Sequence, residues 1–219
     1  MRSLRFTLPL LIVALLAGCG DTGSSPTFQK IAGAVRGQFG AHKSGPPLAM
    51  QLTRAQVRAV KAPLLRASIP KFHTATLLSF YARNGNVITW ADGAQDEVST
   101  RNGIVVATHG LPGDLTSADL PSLTDIARGT GTVGARYWSL DSLDQARLIT
   151  ATCTLSTLGE ETITIIGLTY KTRHISESCE SPAGAFQNEF WIEPGPVMRK
   201  SLQWVGPFVG QILLENLAE

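Results

Sequence analysis

From residue 62 to the C-terminus the chain is a succession of short β-forming runs cut by turn residues, and this punctuation limits the fold more than any other feature. Branched and aromatic side chains dominate the runs because they fit a pleated, half-buried surface. Runs at 63–69, 74–83, 87–91, 97–101, 104–108, 135–140, 146–157, 161–173, 186–193, 197–205 and 208–215 predict about ten strands. Between them stand Asn84-Gly85-Asn86, Asp92-Gly93, Asn102-Gly103, Pro194-Gly195 and Gly206-Pro207. Asn102-Gly103 is the strongest hairpin signal, since both residues tolerate the positive φ of a two-residue turn. No helical pattern alternates with the runs, so a parallel βαβ sheet is not expected and consecutive hairpins imply antiparallel pairing. The expected fold is mainly β, an antiparallel sandwich or barrel-like meander with one or two short N-terminal helices.

The pattern lapses between Gly110 and Gly134, a loop with Pro112, Gly113, Pro121 and one helical turn at 122–127. A lapse of this length is read as functional or as a cap. Ahead of the β region, Phe28, Ile31, Ala32, Val35 and Phe39 fall on one helical face. A connector with Pro46-Pro47 follows, then a second short helix with Thr53 as N-cap and Val57 and Val60 facing inward.

The N-terminus supplies an address. Arg2 and Arg5 precede an apolar stretch too short to span a bilayer, which is the form of a secretory signal peptide. Leu16-Ala17-Gly18-Cys19 then reads as a lipoprotein cleavage site, with residues 1–18 removed and Cys19 lipidated. Two or three acyl chains hold such a protein on a membrane permanently. Gly20, rather than Asp, follows the cysteine, so the outer membrane is expected, on its periplasmic face. Residues 19–27, rich in Gly, Ser, Asp and Thr, read as a tether, and residues 28–219 as a single domain. Both arginines of the formal net charge of +2 leave with the signal peptide, so the mature chain is neutral. A neutral chain without a basic cluster argues against a nucleic-acid partner. With Cys19 spent on lipid, Cys153 and Cys179 remain and are expected to form a disulfide in an oxidising compartment.

Chemistry-bearing motifs are sparse. Gly129-Thr130-Gly131-Thr132-Val133-Gly134 spells G-x-G-x-x-G, but lacks the strand before it and the helix after it that a dinucleotide site needs. The G-x-S-x-G elbow is absent. His42, His73, His109 and His174 are too scattered for a metal signature, so no metal or cofactor is expected. His109, beside the long loop, and Asp92, Asp114 and Asp119 are the candidates for acid–base work; loop aspartates more often cap turns. Trp90, Trp138, Trp191 and Trp204 could pack a core or line a groove, because an indole joins a large apolar face to one donor.

Several stretches taken in order resemble the YjbF/GfcB family of bacterial lipoproteins: Cys19, Thr53-Arg54-Ala55-Gln56, Asn84-Gly85, Asp92-Gly93, and the run from Arg101 to Leu111 followed by Asp114-Leu115. Phe186 to Trp191 and Lys200 to Pro207 continue the likeness. The resemblance implies a mostly β, lipid-anchored periplasmic protein associated with exopolysaccharide and group-four capsule production, with no catalytic residues to carry over. Where the family pattern has Gly-Leu-Gly-x-Asp-Leu, this chain has Gly110-Leu111-Pro112-Gly113-Asp114-Leu115. The leading expectation is a non-enzymatic lipoprotein assisting polysaccharide assembly or export, with the glycan or export-machinery proteins as partners and Trp90, His109, Asp114, Trp138, Trp191 and Trp204 as the candidate surface. The alternatives are a periplasmic glycan-modifying enzyme using Asp92, Asp114 and His109, and a carrier with an acyl-binding half-barrel.

Overall fold

The structure, a computed structural model, describes residues 51–218; Cys19, the tether and the helix at 28–39 lie outside the described residues. Thr53 is the N-cap of α1 (Arg54–Ala59), its hydroxyl accepting from Gln56 N while the Gln56 side chain returns to the Thr53 amide. Val57 of α1 is buried and Val60 half-buried against Leu64 and Leu217. Arg54 fastens the helix to distant carbonyls, donating to Ile165 O at 2.8 Å, Ile166 O at 3.1 Å and Leu217 O at 2.9 Å.

Twelve strands follow: β1 (Leu64–Ile69), β2 (Thr74–Asn84), β3 (Val87–Ala91), β4 (Glu97–Arg101), β5 (Ile104–His109), β6 (Leu115–Asp119), β7 (Thr130–Leu140), β8 (Ala146–Ile165), β9 (Leu168–Glu180), β10 (Phe186–Glu193), β11 (Val197–Gly206) and β12 (Gly210–Asn216). They form one antiparallel sheet in the order β5-β4-β3-β2-β1-β12-β11-β10-β9-β8-β7-β6. The first and last strands pair, Leu65 opposite Asn216 and Ala67 opposite Leu214, which curls the meander into a nearly closed barrel. The remaining seam lies between β5 and β6. It is closed by side chains rather than by a ladder: Asp114 accepts from Thr108 Oγ1 at 2.7 Å, Gly110 N at 2.9 Å and Leu111 N at 3.0 Å, and Thr108 Oγ1 accepts from Leu115 N at 3.0 Å.

The fold is therefore the barrel-like form of the expected meander, with three corrections. The lapse at 110–134 contains an edge strand, β6, besides the helical turn expected there, α2 (Leu123–Ala127), capped by Ser122. Leu115 is the one fully buried side chain of β6, so this strand shows no alternation in its sequence. The strand expected at 135–140 begins at Thr130, so β7 takes in the glycine motif from its second residue onward and, as expected, no helix follows it. The runs at 146–157 and 161–173 are not separated at Leu158-Gly159-Glu160; β8 continues through a bulge at Thr157/Gly159 and turns at Ile166-Gly167.

Alternate side chains fill the interior. Leu65, Leu78, Val105, Tyr137, Cys153, Cys179, Ile212 and Leu214 belong to one buried cluster, and Ile126 of α2 packs with Ile104, Ile175 and Phe190 in a second. Cys153 and Cys179 face each other across β8 and β9 and are joined by a disulfide. The carrier alternative thus meets a packed interior rather than an open half-barrel.

Candidate functional site

At the end of the barrel where the β2–β3, β4–β5 and β10–β11 turns gather, the walls part to leave a cleft of about 400 Å³. Leu65 and Leu214 of the β1–β12 pair, with Ile88 and Met198, line its apolar part, and Trp90 of β3 adds an indole. Trp90 Nε1 donates to Thr100 Oγ1 at 3.0 Å, which fixes the ring against β4. Around these stand Arg83, Asn86, Asn102, Thr124 and Asn216, so amides and hydroxyls surround an apolar floor.

Local chemistry explains the shape. Asn102 and Gly103 both have positive φ, as their hairpin requires, and a Cβ on Gly103 would come within 2.6 Å of Met198 Cβ. Only glycine lets the β4–β5 turn sit this close to β11. Gln203 on β11 locks the arrangement, accepting from Val105 N at 2.9 Å and donating to Gly103 O and to Ser201 Oγ, each at 2.8 Å. Among the described residues the lining holds two arginines and no carboxylate. Arg199 is occupied, donating to Glu193 and, at 2.8 Å, to Ala218 O while lying over the Tyr170 ring. Arg83 is exposed at the rim.

Of the residues singled out by sequence, the cleft gathers Trp90 alone. Trp191 is buried, stacked on His174 at 4.2 Å, with Lys200 over its ring and its Nε1 donating to Glu161 at 2.8 Å. Trp204 stacks on Phe186 at 4.3 Å and meets Tyr137 edge-on. Trp138 lies on the opposite face of β7 from buried Tyr137. His109 is exposed at the end of β5, at the other end of the barrel from the cleft. Asp92 and Asp114 approach each other there, around Asp96: burial, then the charges of Asp92 and Asp114, push the Asp96 carboxyl up, and His109 opposes them. Their oxygens are committed, however. Asp92 accepts from Thr76 Oγ1 at 2.8 Å, Ala94 N at 2.8 Å and Asp96 N at 3.2 Å, and Asp114 pins the seam. Asp119 pairs with Arg136. These aspartates hold turns, which is their ordinary work in loops.

Sequence reading passed over a polar group inside the barrel. Glu177 is 3% exposed, and its Oε2 accepts from Asn188 Nδ2 at 2.6 Å while its Oε1 has no hydrogen-bond partner among the described residues. A cavity of about 10 Å³ beside it, bounded also by Tyr137 and Gln203, has room for one water. The Glu177 carboxylate and both disulfide sulfurs lie within 4.8 Å of one another, but the sulfurs are bonded to each other and offer no thiolate to a metal. Burial pushes the Glu177 carboxyl above its ordinary value of 4.5, against the hydrogen bond from Asn188. A carboxyl raised in the folded state contributes stability that is fully present below its unfolded pKa and lost as pH rises through the folded one. Glu177→Gln is therefore expected to match the parent near pH 4 and exceed it at pH 7.5 by about 1–3 kcal/mol. Urea unfolding at both pH values checks this; an equal difference at the two would contradict it.

The barrel has a known fold. It superposes on the crystal structure of the hypothetical lipoprotein YmcC from Escherichia coli K12 with a TM-score of 0.68 at 18% identity, covering 82% of this chain and 98% of that one. The family model described as "Group 4 capsule polysaccharide lipoprotein gfcB, YjbF" matches residues 33–217, and the chain belongs to that family. No match was found among the curated proteins. The protein is a capsule-polysaccharide-related lipoprotein of the cell envelope.

Proposed function

We propose that this lipoprotein, anchored through Cys19 to the periplasmic face of the outer membrane, assists capsule or exopolysaccharide assembly or export without catalysing a reaction, by holding the glycan in the cleft. The observation that carries the reading is the composition of that cleft: an indole fixed by Thr100, an apolar floor, and a ring of amides and hydroxyls. A pyranose has the matching form, with C–H faces that pack on an aromatic ring and hydroxyls that exchange hydrogen bonds with Asn and Thr. Gly20 after Cys19 supports the outer membrane as the destination. The enzyme alternative rests on Asp92, Asp114 and His109, and the first two spend their oxygens on backbone amides and hydroxyls.

Short oligosaccharides released from the surface polysaccharide of the producing cells provide the test. Titrated into the protein, they are expected to change tryptophan fluorescence, and Trp90→Ala is expected to weaken binding about tenfold, the size of one aromatic contact. Binding unaltered by Trp90→Ala would refute the cleft as the glycan site.

A further inference from the structure

The outer surface of β7, β8 and β9 carries a second pattern, remote in sequence from the cleft. Along β8 the inward positions Ala151, Cys153 and Leu155 are buried, while the outward positions Thr150, Thr152, Thr154 and Ser156 are exposed. Cross-strand register extends these hydroxyls into rows. Thr132 of β7 stands opposite Thr154, Thr154 opposite Ser178 of β9, and Ser178 opposite Gln187 of β10. A second row runs from Thr130 to Ser156 and ends at Ser176, which is buried and accepts from Gln187 Nε2 at 2.8 Å. The rows are about 4.8 Å apart from strand to strand, and the four β8 positions span about 20 Å.

Threonine favours strands, so exposed threonines alone mean little. Three features separate this face from an ordinary solvated one. The β8 positions from 150 to 156 carry no charge, and the charges at the margin are Glu180, opposite Thr152, Glu189, opposite Ser176 and bonded to His174, and Arg136, which pairs with Asp119. The side chains of Thr132, Thr154 and Ser178 form no hydrogen bond among the described residues, so their donors and acceptors point outward unspent. At one end Trp138 stands opposite Leu148, which is 52% exposed, adding an apolar platform to the hydroxyl rows.

We propose that this face is a second glycan-binding surface, which takes an extended, uncharged stretch of the polysaccharide whose shorter segment the cleft holds; in this it rests on the polysaccharide reading above. A hydroxyl both donates and accepts, so rows of them suit a polymer that presents hydroxyls of either sense. The cation at its border, Arg136, is paired with Asp119, so the rows themselves offer an ionic headgroup or nucleic-acid backbone no charged partner. Protein interfaces draw on aromatic, Met and Arg anchors and are depleted in Ser, the reverse of this composition. The length of the face exceeds a single sugar and calls for a chain.

The test uses the detergent-solubilised full-length lipoprotein and two probes from the producing cells: extracted surface polysaccharide, and short oligosaccharides cut from it. Thr132→Val/Thr154→Val/Ser178→Ala is expected to weaken retardation in a gel containing the long polymer at least tenfold while leaving short-fragment binding unchanged. Thr132→Ser/Thr154→Ser, which keeps the hydroxyls, is expected to bind as the parent does, and matching thermal midpoints exclude a folding defect. Parent-like retardation of the Val/Ala variant overturns this inference and leaves the cleft reading standing. Loss in that variant with none in Trp90→Ala overturns the cleft reading instead. A parent protein that ignores both probes overturns both.

Discussion

Asp114→Ala is expected to cost about 3 kcal/mol or more and to loosen the barrel at one place rather than throughout. The carboxylate takes three hydrogen bonds, from Thr108, Gly110 and Leu111. Bonds to a charged acceptor are individually worth about 1.5–3 kcal/mol, and the loop has no other carboxylate to replace it. Because β5 and β6 end the strand order, no ladder joins one to the other, and once the pin is gone the bond from Leu115 N to Thr108 Oγ1 is what remains of this network across the seam. Amide exchange should accelerate first in β5 and β6, with β8–β9 protected to the global limit. Asp114→Asn retains one acceptor but turns an amide toward one of the backbone N–H groups, so its loss should fall between parent and alanine. Chemical unfolding with exchange mass spectrometry measures both; uniform acceleration across the sheet would contradict the pinned seam.

Removing the disulfide gives the second large effect. Cys153 and Cys179 lie 26 residues apart, and on the chain-entropy model their bond stabilises by about 3.5 kcal/mol. Cys153→Ala/Cys179→Ala is expected to lose about that amount and to unfold at correspondingly lower urea. Both sulfurs sit in the core, with Cys153 0% and Cys179 1% exposed. A reductant must therefore wait for the barrel to open, and dithiothreitol should reduce the bond at a rate that follows unfolding. Rapid reduction in native buffer would refute this placement.

The parts of the fold that local chemistry dictates were legible in the sequence. Asn102-Gly103 predicted a hairpin, and both residues have the positive φ it demands. Thr53 predicted a cap and makes a full capping box. Errors arose where tertiary packing overrode local preference. Gly159 has the appearance of a turn residue but accommodates a bulge in β8. The true turn places Ile166 at φ 44, a conformation a branched residue adopts only when its surroundings compensate; Ile166 packs partly against the cluster of Ile163, Ile165 and Trp191. The cleft was legible in one residue, Trp90. Its other walls come from β2, the β4–β5 turn, β11 and β12, which meet because β1 pairs with β12, and no local pattern announces a closure over that distance. Glu177 was invisible for the same reason: the strand sequence around it reads as an exposed polar run until Asn188 and Tyr137 are placed beside it.

The central claim is that the cleft serves the polysaccharide, and one measurement in the producing bacterium tests it most directly. Surface polysaccharide is quantified in cells lacking the gene and in the same cells complemented with the parent gene or with Trp90→Ala. The account predicts loss of surface polysaccharide on deletion, restoration by the parent, and failure of Trp90→Ala to restore it at equal protein level. Unchanged surface polysaccharide on deletion, or full restoration by Trp90→Ala, would contradict it.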